Sequence, residues 1–205
     1  MIKNIIFDLG GVFIKIHYQK TSQAFKDLGI VNFDDFFKQD FSNDLFEQLE
    51  IGAITPEVFY NKFRVLTNTN LSNNEIEIAW NAMLGSFWQD RLDWLEHISK
   101  AYNIYLFSNT NSIHYDAFMK QYHQENPSRK PLNDYFIKAY YSQNIGLRKP
   151  TIESYNYIIN EQNLKASETL FIDDTLKNID GAMLAGLQTL HLTADKNLTE
   201  IDFNQ

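Results

Sequence analysis

The stretch Ile5-Ile6-Phe7-Asp8-Leu9-Gly10-Gly11-Val12 sets an apolar run directly against an aspartate and a glycine pair. A run this short, bounded by turn residues, reads as a buried strand ending in a loop. The same form returns twice downstream, where Ile104-Tyr105-Leu106-Phe107 meets Ser108-Asn109 and Leu170-Phe171-Ile172 meets Asp173-Asp174. Weaker strands are expected at 137–141 and 187–192. Helical patterns separate the strands: 90–101 with Leu92, Leu95 and Ile98 on one face, 111–124, 151–162 with Ile152, Tyr155 and Ile159 inward, and a last one ending near Ala185. Strands alternating with helices predict a doubly wound α/β core, a parallel sheet covered on both faces.

From residue 17 to 88 the rhythm is helical instead. Phe33, Phe36, Phe37 and Phe41 recur at helical spacing, which favours core packing over a role in lining a pocket. Thr55-Pro56-Glu57 supplies a cap residue, a proline at the first helical position and an acid in the first turn. Ser72 with Glu75 has the form of a capping box. No strand is expected here, so the segment reads as an all-helical insert, 17–88, that divides the α/β domain into 1–16 and 89–205.

The chain has 205 residues, 44% hydrophobic and 21% charged, which suits one soluble globular domain with a smaller insert. Its 26 acidic residues outnumber the 18 basic ones, so nucleic acid is not an expected partner. A small anionic substrate remains compatible, because a local cluster of donors or a metal outweighs net charge. The absence of cysteine excludes disulfides, thiolate metal sites and a catalytic thiol. No histidine pair has zinc-like spacing, and no glycine-rich nucleotide loop is present. The apolar start is too short for a signal-peptide core, and no segment is apolar enough to span a bilayer. A cytoplasmic monomer without a membrane partner is expected.

Ligands of open parallel sheets bind beyond the carboxyl ends of the strands. Asp8, Ser108-Asn109 and Asp173-Asp174 all fall at such ends, and Lys149 lies in the connection Gly146-Leu147-Arg148-Lys149-Pro150. Singly, each has a structural explanation: a turn or helix cap for the first three, a solvated surface for the lysine. Together, and in this order, they point to one crevice. Two adjacent carboxylates repel unless a cation joins them, and magnesium prefers such oxygen ligands together with substrate phosphate.

The segment from Ile5 to Val12 resembles the first motif of the haloacid dehalogenase superfamily hydrolases. Leu106-Phe107-Ser108-Asn109 is similar to the second motif and Lys149-Pro150 to the third. Phe171-Ile172-Asp173-Asp174-Thr175, continuing to Asn178 and Gly181-Ala182, resembles the fourth. The resemblance covers nearly the whole chain and implies a Rossmann-like core with a helical cap over the active site. Asp8-Leu9-Gly10-Gly11-Val12, Ser108-Asn109-Thr110-Asn111 with His114, and Gly146 to Pro150 further resemble the bacterial glucose-1-phosphate phosphatases, with the epoxide-hydrolase-like N-terminal phosphatases nearby.

The resemblance implies a magnesium-dependent phosphatase for a small phosphorylated metabolite. Asp8 would attack phosphorus and form an aspartyl-phosphate that water then hydrolyses. Asp8, the Gly10 main-chain carbonyl and Asp174 would hold Mg2+, with Asp173 supporting the site. Ser108 and the Asn109 N–H would hold phosphoryl oxygens, and Lys149 would offset the accumulating charge. One position departs from the pattern: Gly10 stands where the family's phosphatases usually carry a second aspartate, the acid that protonates the leaving group. Its loss removes help typically worth about 10²–10⁴ in rate. Either the substrate has a better leaving group, such as an anomeric oxygen, or another residue substitutes, with His17 and His114 as candidates. The alternatives are a weakened protein that binds phosphorylated ligands or a protein partner, and a metal-independent haloacid dehalogenase. The retained Asp173-Asp174 pair favours phosphoryl transfer over the latter. Specificity is expected in the cap, where Glu47, Glu50 and Gly52 lie in a loop before Thr55.

Overall fold

The computed structural model describes residues 1–38 and 41–201, of Phe41 the backbone alone. Strand β1 (Asn4–Phe7) leads through a tight loop to β2 (Ile14–Ile16) and helix α1 (Tyr18–Asp27). A two-residue hairpin, β3 (Phe37–Lys38) and β4 (Phe41–Ser42), precedes α2 (Asp44–Glu50), α3 (Pro56–Thr67) and α4 (Asn73–Asn81). Strand β5 (Leu84–Phe87) returns antiparallel to β2, so this pair carries the chain out to the helices and back. Then follow α5 (Gln89–Ile98), β6 (Asn103–Ser108), α6 (Ser112–Glu125), β7 (Lys138–Tyr141) and the one-turn α7 (Ser142–Ile145). Helix α8 (Ile152–Glu161), β8 (Thr169–Asp173), α9 (Leu176–Leu184) and β9 (Gln188–His191) complete the order.

The main sheet runs β7-β6-β1-β8-β9 and is parallel throughout, as the alternation of strands and helices predicts. Strand β1 is buried on both faces, as central parallel strands are. Ile5 and Phe7 pack on one side with Leu92, Leu95 and Phe118; Ile6 packs on the other with Phe107, Tyr155 and Phe171. Register does the rest. Phe7 lies opposite Leu106 on one neighbour and Ile172 on the other, so the three chains leave the sheet at one level. Asp8 and Asp173 therefore emerge level with each other, and Ser108 follows one residue beyond that level on β6.

Helix α8 faces the core differently from expectation: Tyr155 and Ile158 are buried, while Ile152 is 39% exposed. Ile159 of the expected face is partly buried against the same cluster, so the buried face centres on Tyr155, Ile158 and Ile159, and the ~100° step per residue leaves Ile152 at its margin.

The segment between β2 and β5 has its own apolar cluster, in which Phe25, Phe33, Phe46, Phe59, Phe63 and Trp80 are buried. Its helix starts are those the sequence announces. Thr55 accepts from Val58 N–H at 3.4 Å, and Ser72 and Glu75 form the reciprocal capping box. The segment is mostly helical, yet two short pairings interrupt it, β3 with β4 and β5 with β2. The spaced phenylalanines do not share a helix face. Phe33 opens a single 3₁₀ turn and stacks on Phe25 at 4.4 Å, and Phe37 lies in β3 with its ring 4.7 Å from Trp80. Packing against surrounding helices overrides the local period. Phe36 is partly buried against the same cluster, and the side chain of Phe41 lies outside the described residues.

Candidate active site

Asp8 follows β1 directly, its N–H donating to Ile172 O at 2.9 Å. Lys149 Nζ donates to Asp8 Oδ1 and to Asp173 Oδ2, each at 2.7 Å. The cation that joins the two strand-end carboxylates is thus a side chain, and this lysine is only 1% exposed. Asp173 is fully buried and fully engaged: Thr175 N–H donates to its Oδ1 at 2.8 Å and Asn178 Nδ2 lies within 3.1 Å of both oxygens. Burial opposes the ammonium of Lys149, but Asp173 and Asp8 together outweigh it and hold its pKa above the usual lysine value. Burial also pushes the Asp8 carboxyl well above the usual range; Lys149 pulls it back, and Asp173 and Asp174 push it further up.

Two close approaches fix this cluster. The Asn109 side chain bonds both the N–H and the carbonyl of Lys149. Gly181 lets α9 meet the Lys149-Pro150 loop, because a Cβ there would lie 2.3 Å from Pro150 O. On the other side, Arg91 Nη1 donates to Gly11 O at 3.1 Å and Val12 O at 2.7 Å while stacking on Trp88, which clamps the loop after Asp8. No local pattern announces Arg91 or the Asn109 side-chain role.

Asp174 stands at the rim, its pKa raised by burial and by Asp173. Asp8, Asp173 and Asp174 bring one oxygen each within 4.8 Å of one another. Since Lys149, Thr175 and Asn178 occupy Asp173, the carboxylates left for an ion are Asp8 and Asp174. An all-oxygen set of two carboxylates with a main-chain carbonyl nearby, at Gly10, fits magnesium rather than zinc or copper. Gly11 has φ +66°, and a Cβ there would lie 2.0 Å from Asp174 Oδ2, so only glycine allows Asp174 this position.

A cavity of about 360 Å³ opens above the cluster, between the sheet edge and the inserted segment. It is lined by Asp8, Gly10, Ser108, Asn109, Lys149 and Asp174, the whole set expected from the sequence.

A family model described as haloacid dehalogenase-like hydrolase matches residues 2–186. The chain belongs to that family. It is 34% identical to a D-ribitol-5-phosphate phosphatase of Bacteroides thetaiotaomicron, covering 92% of this chain and 91% of that one. It is 28% identical to a sesquiterpene phosphatase of Aspergillus oryzae, over 93% of this chain and 90% of the other. Its structure superposes with a TM-score of 0.87 and 31% identity on a haloacid dehalogenase family enzyme of B. thetaiotaomicron, an aspartate-to-alanine variant in complex with magnesium and inorganic phosphate. That match covers 97% of each chain.

In this hydrolase, two residues weighed as substitute acids are poorly suited to the task. His114 lines the cavity, but burial pushes it down to about 3, its Nδ1–H donates to Asn81 Oδ1 at 2.8 Å, and its ring stacks on Trp80. His17 packs against Gly85 and is not among the residues that line the cavity. Glu47 and Glu50 do line it, though from helix α2 rather than from a loop. Gly52 instead abuts the backbone of α7, at Gln143. Ser108 is 4% exposed, and no protein group among the described residues claims its hydroxyl. The centre can present a carboxylate nucleophile, a fixed ammonium and free N–H and O–H donors to one phosphate-sized ligand.

Proposed function

We propose that this hydrolase is a magnesium-dependent phosphatase for a small polyol or sugar phosphate, with Asp8 as the nucleophile. The observation that carries the reading is the shared cation: one buried lysine holds Asp8 against Asp173, leaving Asp174 and the open side of Asp8 toward the cavity. The named phosphatases among the relatives support it. So does the retained pair Asp173-Asp174, which halide displacement without metal has no use for.

Asp8, the Gly10 carbonyl and Asp174 would hold magnesium, which would supply positive charge to offset the carboxylates and the phosphate. The remaining work belongs to the chain. Ser108 Oγ and the Asn109 N–H donate to phosphoryl oxygens and turn phosphorus toward Asp8. An Asp8 oxygen bonds to phosphorus as the bond to the leaving oxygen breaks, giving an aspartyl-phosphate; with glycine at position 10, the leaving oxygen takes its proton from water in the cavity. Water then attacks phosphorus and frees Asp8 and inorganic phosphate. Lys149 stays protonated throughout and keeps Asp8 oriented. Residues 17–88 act as the cap that closes over the leaving group.

The test is phosphate release from ribitol 5-phosphate, glucose 1-phosphate, a sesquiterpenyl phosphate and p-nitrophenyl phosphate, with magnesium and with EDTA. Magnesium-dependent turnover led by a polyol or sugar phosphate is expected. A metal-bound protein that turns over none of them would instead be a binding protein on a disabled hydrolase fold.

A further inference from the structure

The part of the cavity wall formed by helix α2 is charged. Arg148, the residue before Lys149, reaches across to helix α2: Nη1 lies 2.7 Å from Glu47 Oε1 and Nε lies 2.6 Å from Glu50 Oε2. The second contact is an ion pair and not a directed hydrogen bond, because the Nε–H is not aligned with it. All three side chains line the cavity. Arg148 engages one oxygen of each glutamate. Among the described residues no hydrogen bond claims Glu47 Oε2 or Glu50 Oε1. The wall is also held rigidly to the catalytic loop. Gly52, just past α2, comes so close to α7 that a Cβ would lie 2.2 Å from Gln143 O.

We propose that Glu47 and Glu50, pinned by Arg148, are the specificity wall: they accept hydrogen bonds from hydroxyls of an uncharged polyol leaving group and repel one bearing a second phosphate. This rests on the phosphatase reading above. With the phosphate at Asp8 and Lys149, a leaving group held in the cavity shares it with this wall. Lys38 and Lys177 also line the cavity, but the Arg148 cluster itself, two carboxylates and one guanidinium, is one unit negative, so a second anion placed against it meets like charge. An apolar chain would strip water from the glutamates and return no hydrogen bond. The aromatic residues that share the cavity, Phe37, Phe46 and Trp80, already pack on one another with ring centroids 4.7–5.2 Å apart. Hydroxyls of an uncharged leaving group donate the hydrogen bonds that these free carboxylate oxygens accept.

The experiment compares kcat/KM for ribitol 5-phosphate and ribitol 1,5-bisphosphate in the native protein, Glu47→Gln and Glu50→Gln. It is joined by calorimetric binding of ribitol 5-phosphate to Asp8→Asn with magnesium, with and without Glu50→Gln. The ratio favouring the monophosphate is expected to fall more than about tenfold in each glutamine variant, and monophosphate binding to weaken by about tenfold. Equal losses on both substrates, or no change in ratio, would overturn the wall and leave a structural ion pair. Binding that Glu50→Gln weakens in a protein without turnover would fail the phosphatase reading while upholding the wall. Turnover confined to p-nitrophenyl phosphate would do the reverse.

Discussion

The Asn109 side chain brackets the main chain of Lys149: its Nδ2 donates to Lys149 O at 3.0 Å, and its Oδ1 accepts from Lys149 N–H at 2.9 Å. A strand-end residue thereby sets the height of the lysine that holds Asp8. Asn109→Ala keeps the backbone N–H but frees the loop. It is expected to lower kcat by about 10²-fold, the usual cost of a small misplacement, with little change in KM. Steady-state kinetics decide; a raised KM with kcat preserved would assign the side chain to substrate binding instead.

Lys149→Met removes the ion-pair partner of Asp8 Oδ1 and leaves two carboxylates buried. Breaking a buried pair in this way costs about 3–5 kcal/mol. Urea denaturation should show that loss. The double variant with Asp8→Asn should recover part of it, since one of the stranded charges is gone. Additive losses in the cycle would mean that Asp8 and Lys149 do not interact.

Gly11→Ala forces a Cβ into Asp174 Oδ2 and strains a positive φ. Displacing a metal ligand's surroundings typically costs 10–100-fold in affinity. Calorimetric titration with magnesium should therefore show binding weaker by about that factor. Unchanged affinity would remove Asp174 from the metal site.

His114 is buried neutral, its pKa pushed down by desolvation from 6.5 to about 3. The unfolded chain binds a proton there below 6.5 while the folded protein does not, so the stability this site gives is complete above that pH. It is lost as pH falls from 6.5 toward 3, at about 1.4 kcal/mol per unit. Between pH 7 and pH 5 the native protein should lose about 2 kcal/mol more than His114→Gln by denaturant unfolding. Parallel curves would show that His114 titrates normally.

The strand ends are legible in the sequence because an apolar run stopping at Asp8, Ser108 or Asp173 is a local pattern. Parallel register then brings these residues together without further information. Lys149 is different. Whether a lysine is solvated or 1% exposed depends on carboxylates delivered by two other strands, and nothing beside it in the chain records them. The pairing of Arg148 with Glu47 spans 101 residues and is invisible for the same reason. The phenylalanines from 33 to 37 mislead because a 3.6 spacing is equally compatible with rings that pack from a turn and a short strand. Glu47 and Glu50 read as loop residues in the sequence because α2 is only seven residues long, too short for a clear period; its Asn43 cap is the available signal.

The central claim is that Asp8 is the nucleophile of a magnesium-dependent phosphatase. The most direct measurement is phosphate release from p-nitrophenyl phosphate and ribitol 5-phosphate by the native protein and by Asp8→Asn, each with magnesium and with EDTA. Asp8→Asn keeps the size and much of the polarity of the side chain, so loss of folding is not the expected outcome. Turnover that needs magnesium in the native protein and falls by more than about 10³-fold in Asp8→Asn is the predicted result. Turnover that survives in Asp8→Asn, or that proceeds equally well in EDTA, would contradict it.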